Sequence, residues 1–206
     1  GLPFLVRQHE CVVVASTSES NSGAAVARET SFLKTKMDQQ IFPSNINIID
    51  DPFIKRGLGS RLYDGDGLPC HKTMFVENGI LQHWLLDLRS SRQLGFSPTG
   101  HSGGVSNFYI DKGDVSLDDL LSDIKYGFYC TDLMGMGVNM VTGDYSMGAS
   151  GFLIEKGKIT TSVSEITIAS NLNKMFENLV ICDDLEFRYR VNVPHLMIPK
   201  MSIAGN

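Results

Sequence analysis

The chain has 206 residues, which is enough for one large domain or two small ones with a substantial core. Hydrophobic residues make up 42% of the chain and charged residues 20%, so the composition argues against intrinsic disorder. The formal net charge is −5, and this acidic balance argues against a general surface for nucleic acids or anionic membranes.

The first predicted elements are extended segments separated by turns. An apolar run at 11–14 (CVVV) is followed by a polar, serine-rich stretch and then by a helical or loop segment around Phe32. The Asp50-Asp51-Pro52 corner and the DGDG sequence at 64–67 predict turns farther along the chain.

One short pattern occurs three times and predicts hairpins. It consists of an apolar pair, an acidic residue, then Asn or Lys, then Gly, and it occurs in FVENGIL (75–81), YIDKGDV (109–115) and LIEKGKI (153–159). Asn-Gly, and less strongly Lys-Gly, suits a two-residue hairpin turn that needs positive φ angles. Because apolar residues flank each turn, we expect the strands on either side to pair.

Two segments carry the periodicity of amphipathic helices. In 116–127, leucine and isoleucine recur at i, i+3, i+4 and i+7, Ser116 is the predicted N-cap and Gly127 is the predicted stop. The segment 170–180 repeats this pattern with leucine, methionine and phenylalanine on one face. Both apolar faces are predicted to lie in the core.

The C-terminal tail, VPHLMIPKMSIAG, has two prolines in an extended apolar context, which predicts an edge strand. Together the segments predict an α+β fold in which strands dominate. We expect mostly antiparallel sheets with hairpins and two or three flanking helices.

Residues 100–104 read Gly-His-Ser-Gly-Gly, a literal G-x-S-x-G sequence centred on Ser102. A nucleophile elbow needs a buried strand before the serine and a helix after it. Here Pro98 precedes the serine, the extended stretch VSNFYI follows it, and no later Asp-then-His pair stands out, because His195 is the only histidine left. A glycine-rich connection is therefore favoured, and a serine hydrolase that uses Ser102 is the minor alternative.

Neither a metal site formed within the chain nor a catalytic residue is predicted. The His9-Glu10 pair lacks a second histidine at helical spacing. The Cys70-His71 pair consists of neighbours, whose side chains point to opposite faces when they lie on a strand.

The cysteine pattern bears on the compartment. The four cysteines are widely spaced and form no CxxC pair, so neither a disulfide scaffold nor a zinc knuckle is predicted. Reduced thiols are expected in a cytoplasmic protein. No apolar stretch approaches the roughly 18–20 residues that a membrane-spanning helix needs, so no membrane partner is expected.

The stretch VTGDYSMGASG at 141–151 places hydroxyl and carboxylate side chains among glycines. It supplies no His or Lys beside its aspartate for catalysis, and its glycines do not lead into a helix as a phosphate-binding loop would. Two interpretations stay open: tight turns alone, or a turn and strand that meet a peptide or a partner through exposed hydroxyls and strand addition. The candidate residues of the second interpretation are Asn139, Thr142, Gly143, Asp144, Ser146, Ser150 and Gly151, together with His101.

Several stretches follow one family pattern in the same order. They are SFLKTKM (31–37), VENGILQHWLLDLRSSRQLG (76–95), SPTGHSGG (97–104), VNMVTGDYSMGASGFLIEKGKITTSVSEITIASNL (138–172) and the closing P-x-x-x-x-P-K-M-S-I-A-G. In these stretches the chain resembles the TldD/PmbA family and, within it, the PmbA branch, which is also called TldE. The similarity runs from about residue 25 to the end of the chain.

The resemblance implies that this chain is the C-terminal domain of a bacterial, cytoplasmic, two-domain protein. In the family, a TldD-type subunit pairs with a PmbA/TldE-type subunit to form a zinc-dependent peptidase that acts on unstructured peptides. The TldD-type subunit holds the zinc through an HExxxH helix in its N-terminal half and a cysteine near its C-terminus. This sequence has no HExxxH and no cysteine between Asp184 and Pro194, so it resembles the subunit that carries no metal.

The partners implied by this resemblance are a TldD-type subunit, an unstructured peptide and, for the chain in isolation, a second copy of itself. Zinc is expected in the partner subunit and no cofactor in this chain. Whether the chain is an enzyme by itself is left open. The family's older description implies the alternative of a regulatory protein that modulates DNA gyrase and has no peptidase role.

Overall fold

The computed structural model describes residues 1–6, 21–135 and 137–205. These residues are divided between two compact units. The first unit takes in the described residues of Gly1–Val13, Lys112–Glu186 and Val193–Asn206, and the second unit those of Val14–Asp111 and Phe187–Asn192. The apolar run predicted at 11–14 lies outside the described residues.

Eleven strands and four short helices are found in the described ranges. The strands are β1 (Leu2–Val6), β2 (Ile48–Asp50), β3 (Thr73–Glu77), β4 (Ile80–Leu81), β5 (Phe108–Ile110), β6 (Tyr126–Met134), β7 (Asp144–Glu155), β8 (Lys158–Asn171), β9 (Val180–Ile181), β10 (Val191–Asn192) and β11 (Leu196–Ala204). The helices are α1 (Gly23–Ala27), α2 (Leu88–Leu94), α3 (Leu117–Ser122) and α4 (Leu172–Glu177).

In the first unit, hydrogen-bonded neighbours form a closed circuit in the order β1-β6-β7-β8-β11, and β11 pairs with β1 again. All of these neighbours are antiparallel except β1 and β6, which run parallel. The short strand β9 adds to β11. The circuit pairs backbone groups that an open sheet leaves unpaired at its edges.

The tail is not the edge strand that its prolines predict. At Leu196, β11 pairs with Val6 of β1 and with Ile181 of β9, so both of its sides are occupied there. Pro199 lies opposite the shift in register between Leu2 and Phe4 of β1. A proline is tolerated in a paired strand at such an irregularity, because the ladder bond that it cannot donate is already interrupted.

The helices predicted at 116–127 and 170–180 both form, but they are shorter than their apolar patterns. Ser116 caps α3 as predicted, since its hydroxyl accepts a hydrogen bond from the Asp119 N–H at 3.1 Å. The prediction that Gly127 stops this helix is wrong. Gly127 lies in β6 and pairs with Ile154 of β7, so the helix gives way to a strand before the apolar pattern ends.

The apolar face of α3 is buried as predicted. Leu120 of α3 and Ile124, just after the helix, form one buried cluster with Leu5, Ile154 and Cys182. Since β1 and β7 each supply a member of this cluster, burial of apolar area ties the helix to the strands of the first unit. The face predicted for α4 is also buried.

Two of the three predicted hairpins are present. Asn78-Gly79 joins β3 to β4, and Lys156-Gly157 joins β7 to β8. All four turn residues have positive φ, between 50° and 79°, as the two-residue hairpin turn requires.

The prediction of a hairpin at 109–115 is wrong. β5 ends at Ile110, and the chain then leaves the second unit for the first. The Gly113 N–H donates to the Cys182 O at 2.8 Å, and Val115 forms a parallel bridge with Cys182. The residues after the glycine therefore pair with a distant segment and not with β5.

In the second unit, five strands form a sheet in the order β10-β5-β2-β3-β4, and only β10 and β5 run parallel. The central strands bury Ile48, Phe75 and Phe108 completely. Helix α2 begins with a reciprocal capping box between Asp87 and Ser90. The predicted turns at 50–52 and 64–67 are both present.

The fold is α+β as predicted, and strands dominate it. Most strand pairs are antiparallel, and α1 and α2 are short helices in addition to the two predicted segments. Within the described ranges, no helix is long and apolar enough to span a membrane.

Gly151 of β7 allows a close approach between strands, and this generates a stability prediction. A Cβ atom on Gly151 would lie 2.0 Å from the Tyr129 O of β6, whereas a Cβ on Gly148 of the same strand meets nothing closer than 3.4 Å. We expect Gly151→Ala to lower the free energy of unfolding of the full-length protein by about 1–3 kcal/mol. The matched control, Gly148→Ala, is expected to change it by less than about 0.5 kcal/mol. Urea titration followed by circular dichroism measures both values, and equal effects would contradict this packing.

Candidate functional site

The predicted site residues fall in different units. The seven candidates between Asn139 and Gly151 belong to the first unit, where they share one turn and one strand. His101 belongs to the second unit.

The turn before β7 is closed by hydrogen bonds within the segment 137–146. The Asn139 Oδ1 accepts hydrogen bonds from the Val141 N–H at 3.0 Å and the Thr142 N–H at 3.3 Å. The Gly143 N–H donates to the Asn139 O at 2.7 Å. An asparagine side chain that accepts from the backbone two residues later is a typical turn-forming contact, and it fixes this loop locally.

Asp144 ties this turn to α4. Its Oδ2 accepts a hydrogen bond from the Thr142 Oγ1 at 2.7 Å, and its Oδ1 accepts one from Asn171 Nδ2 at 3.0 Å. Asn171 is the N-cap of α4. The hydrogen bond from Thr142, followed by that from Asn171, holds the pKa of Asp144 below its usual value of 3.8. The carboxylate is therefore an internal acceptor, although the side chain is exposed to solvent.

The candidates along β7 differ in exposure. Ser146 is exposed, Ser150 is half-buried and Gly151 is buried. From Gly148 to Glu155 the strand pairs with both β6 and β8, so its backbone offers no edge for strand addition there. Contact with a peptide or a partner through the exposed side chains of Thr142, Asp144 and Ser146 stays a prediction.

His101 lies among the residues that line a cavity of about 520 Å³ in the second unit. Its imidazole is buried, and both ring nitrogens are engaged: Nε2 lies 3.1 Å from the Asp50 Oδ2 and Nδ1 lies 2.9 Å from the Thr99 Oγ1. Because a carboxylate only accepts, Nε2 carries the hydrogen of the first contact. The Asp50 carboxylate also accepts from the Ser106 N–H at 2.8 and 2.9 Å.

This buried network holds the glycine-rich loop in place. Asp50 ends β2, and its carboxylate fixes one residue on each side of Gly103-Gly104. A buried carboxylate with several donors is stabilised where an unpartnered one would be costly. The contacts of the His101 imidazole in this structure are structural. Its predicted binding role stays a prediction.

Ser102 does not lie in a nucleophile elbow. Its N–H donates to the Asp64 Oδ2 at 3.0 Å, and its carbonyl accepts from the Gly65 N–H at 2.9 Å. Turns follow it before β5 begins, where an elbow requires a helix. In the part of the chain that the structure describes, no histidine is hydrogen-bonded to the Ser102 hydroxyl, so the hydrolase alternative lacks a base.

A second histidine network, in the first unit, was not predicted from the sequence. The Asp184 Oδ2 accepts a short hydrogen bond from the His195 Nδ1, and the Asp184 Oδ1 accepts from the His195 N–H at 2.9 Å. The other ring nitrogen, Nε2, lies 3.0 Å from the Tyr129 hydroxyl. Because a carboxylate only accepts, Nδ1 carries the hydrogen of the first contact, and both ring nitrogens are engaged.

The structure thus brings together an Asp and a later His that do not stand out as a pair in the sequence. Asp184 and His195 flank the segment Phe187–Asn192, which belongs to the second unit. The chain leaves the first unit after Asp184 and returns to it before His195, and this excursion brings the two residues together. No local motif signals the pair, because eleven positions separate its members.

The described residues do not fit a zinc site. Such sites use three or four His, Cys, Asp or Glu ligands, and in the described ranges no group of three or more of these side chains is placed to hold a metal ion. His101 and His195 each have both ring nitrogens engaged. Burial, followed by the charges of Asp184 and Asp183, raises the pKa of the Cys182 thiol to about 12, which opposes the thiolate that zinc needs.

Comparison of the sequence with protein families identifies one match over nearly the whole chain. The family model of the PmbA/TldA metallopeptidase C-terminal domain matches residues 10–205. A curated relative, the metalloprotease PmbA of Escherichia coli O157:H7, is 40% identical over 185 residues, which are 89% of this chain and 41% of that protein. The resemblance seen in the sequence motifs is confirmed, and the chain spans less than half the length of this relative.

Solved structures with the same fold carry two kinds of name. A candidate modulator of DNA gyrase from Bacteroides thetaiotaomicron superposes with a TM-score of 0.92 at 26% identity, over 100% of this chain and 47% of that one. TldE from Thermococcus kodakarensis superposes with a TM-score of 0.85 at 25% identity, over 99% of this chain and 50% of that one.

The buried contact between His101 and Asp50 generates a second stability prediction. Removing the imidazole in His101→Ala leaves a buried carboxylate oxygen without its side-chain donor, so we expect the free energy of unfolding to fall by about 2–4 kcal/mol. His83 is an exposed histidine of the same unit, and His83→Ala is expected to change stability by less than about 0.5 kcal/mol. Denaturant unfolding of the full-length variants measures both values. A loss below 1 kcal/mol for His101→Ala would show that this network is dispensable.

The contact between Thr142 and Asp144 predicts a pH dependence. Because the folded-state pKa of Asp144 is lowered, its stabilising contribution is present above the unfolded pKa and is lost as pH falls through the folded one. In Thr142→Val the strongest donor is removed, so the pKa of Asp144 is expected to rise toward 3.8. Titration of the ¹³C-labelled carboxylates by NMR measures the value. Thr161→Val, an exposed threonine of β8, is the control and should leave the pKa of Asp144 unchanged.

Proposed function

The chain belongs to the PmbA/TldA metallopeptidase C-terminal domain family, and on that basis we propose that it is part of the subunit that assists, but does not perform, zinc-dependent hydrolysis of unstructured peptides. In this proposal the full-length protein is a PmbA/TldE-type subunit. Its partner is a TldD-type subunit that holds the zinc. The compartment proposed is the cytoplasm, where the free, buried thiols of Cys70, Cys130 and Cys182 stay reduced.

The observation that carries the proposal is the use made of the residues capable of metal binding. The two networked histidines each donate one ring N–H to a carboxylate and direct the other nitrogen to a hydroxyl. Neither therefore has a ring nitrogen left for a zinc ion. The engagement of these two histidines in holding the fold supports a partner subunit as the source of the metal.

In this proposal the chain contributes by positioning an extended peptide or the partner subunit. Exposed hydroxyl and carboxylate groups at Thr142, Asp144 and Ser146 lie on the turn before β7 and on the first residues of that strand, where Asn139 and Asn171 brace the turn. A braced turn presents such groups at a small entropic cost, which suits contact with an extended peptide or with the partner subunit. No bond-breaking step is assigned to any residue of this chain.

The proposal makes a prediction about activity. The full-length protein alone is expected to show no zinc-stimulated cleavage of an unstructured peptide such as casein. Addition of the TldD-type subunit of the same organism is expected to produce cleavage that a chelator abolishes and zinc restores. Peptide release followed by mass spectrometry measures both, and the control is a TldD-type subunit whose HExxxH glutamate is changed to glutamine. Zinc-stimulated cleavage by the full-length protein on its own would contradict the assignment.

A second candidate, a regulatory protein that acts on DNA gyrase, is favoured by the name of one structural neighbour. The net charge of −5 suits a protein partner better than DNA. Co-purification with gyrase from cells that lack the TldD-type subunit would support this role. If gyrase does not co-purify from cells that lack the TldD-type subunit, the interaction with gyrase belongs to the heterodimer.

A further inference from the structure

Two segments of the second unit, 52–63 and 187–191, combine exposed apolar side chains with charge of a single sign. Half of the fourteen large apolar side chains that are exposed in the described ranges belong to these seventeen residues. Leu58 is 74% exposed and Leu62 is 68% exposed, and the aromatic rings of Phe53, Tyr63 and Phe187 are each more than half exposed. Such a concentration marks an interaction surface more often than scattered single residues do.

The two segments lie side by side. Ile54 and Leu58 from the first segment line one groove of about 210 Å³ together with Phe187 and Tyr189 from the second. Phe187 also packs edge-on against the Tyr109 ring at 5.0 Å, which anchors the second segment to β5. We refer to residues 52–63 and 187–191 together as the apolar–basic surface.

The backbone under this surface is held rigidly. The Arg61 N–H donates to the Pro52 O at 3.1 Å and closes the first segment into a compact loop. The buried Asn107 side chain accepts from the Gly59 N–H at 2.9 Å and donates to the Ser60 hydroxyl at 2.9 Å. A Cβ on Gly59 would lie 2.1 Å from the Ser106 O, so only glycine permits this approach.

The fixed position of these exposed apolar side chains indicates that the surface is suited to binding a partner. A loop that is clamped from beneath has its leucines and aromatic rings fixed outward, where they gain nothing from burial within the chain. A preformed surface loses less conformational entropy on association, so it suits a partner that buries it.

The charge of the surface indicates what kind of partner fits. Its two segments contain five basic residues and no acidic residue, in a chain that has 23 Asp and Glu against 18 Lys and Arg. Two of the five, Arg61 and Arg190, are tied to backbone carbonyls of the glycine-rich loop. Lys55 and Arg56 are exposed beside the groove, where carboxylates of a partner would be attracted.

We propose that the apolar–basic surface docks a second folded protein whose contacting face is apolar and acidic. This rests on the function proposed above, in which that protein is the metal-bearing TldD-type subunit. The exposed leucines and rings offer on the order of 600 Å² of apolar area, close to the roughly 800 Å² per partner that a stable interface buries.

Single-stranded nucleic acid is the competing occupant, because exposed aromatic rings beside Arg and Lys are typical of its binding sites. Leu58 and Leu62 argue against it. They are the two most exposed large apolar residues of the surface, and a leucine has neither a flat ring for base stacking nor a charge for phosphate. Exposed aliphatic residues of this kind match the apolar part of a protein interface instead.

The test measures association of the full-length protein with the TldD-type subunit of the same organism by isothermal titration calorimetry. We expect the double variant Leu58→Ser, Leu62→Ser to weaken binding at least tenfold. Lys55→Glu is expected to weaken it several-fold at low salt and less at 0.5 M salt, because salt screens the attraction to an acidic face. All three residues are exposed, so the thermal midpoint of unfolding should not change, and a lower midpoint would assign the loss to misfolding and overturn the proposal.

Matched controls lie outside the surface. Phe96→Ser replaces a half-exposed ring of the same unit, and Lys158→Glu makes the same change in net charge on β8. Both are expected to bind the TldD-type subunit within twofold of the unchanged protein.

Three outcomes overturn the proposal in distinguishable ways. If the unchanged protein binds the TldD-type subunit and the surface variants bind equally well, the surface is wrong and the proposed function stands. If the unchanged protein does not bind that subunit, the proposed function fails and the surface assignment fails with it. If the surface variants instead lose self-association in sedimentation, or lose binding of an oligo(dT) probe, the occupant is a second copy or a nucleic acid.

Discussion

The hydrogen-bonded contact between Asp50 and His101 is the constraint around which the second unit is arranged. A carboxylate at the end of a buried strand is stable only if donors surround it, and here one imidazole and one backbone N–H supply them. These donors come from either end of the Ser102–Val105 segment. The end of β2, the glycine-rich loop and the cavity beside it therefore depend on one buried carboxyl group, and the loop cannot move without exposing it.

The same rule applies to other residues of the chain that have catalytic potential. His195 is held between Asp184 and Tyr129, and Asp144 accepts from a threonine and an asparagine. The ring nitrogens of His195 and the carboxylate oxygens of Asp144 are thus bonded to groups inside the chain. The surface is different, since most of its large apolar side chains between 52 and 63, and the basic side chains of Lys55 and Arg56, are exposed to solvent. This division fits a subunit that positions a partner and a peptide.

Local patterns predicted the elements whose stability is local. Backbone φ preferences explain the Asn78-Gly79 and Lys156-Gly157 turns, and side-chain capping explains the start of α3 at Ser116. Apolar periodicity explains the buried faces of α3 and α4. All three effects act within a few residues. The hairpin predicted at 109–115 does not form, although its sequence follows the same pattern. After β5 the chain passes from the second unit to the first, and the Gly113 N–H donates to the Cys182 O. The prediction that the tail is an edge strand is wrong for a related reason. Distant segments, β1, β8 and β9, pair with it.

The sequence by itself determined the fold class, two of the hairpins, the start of α3 at the Ser116 cap and the family, because each is encoded in contiguous residues or in long motifs. Only the tertiary structure decided which polar residues meet. Asp50 and His101 are 51 positions apart, Tyr129 and His195 are 66 apart, and the loop at 52–63 is braced by Asn107. Pairing over such distances depends on how strands are ordered and where the chain leaves one unit for the other, and no local periodicity records either.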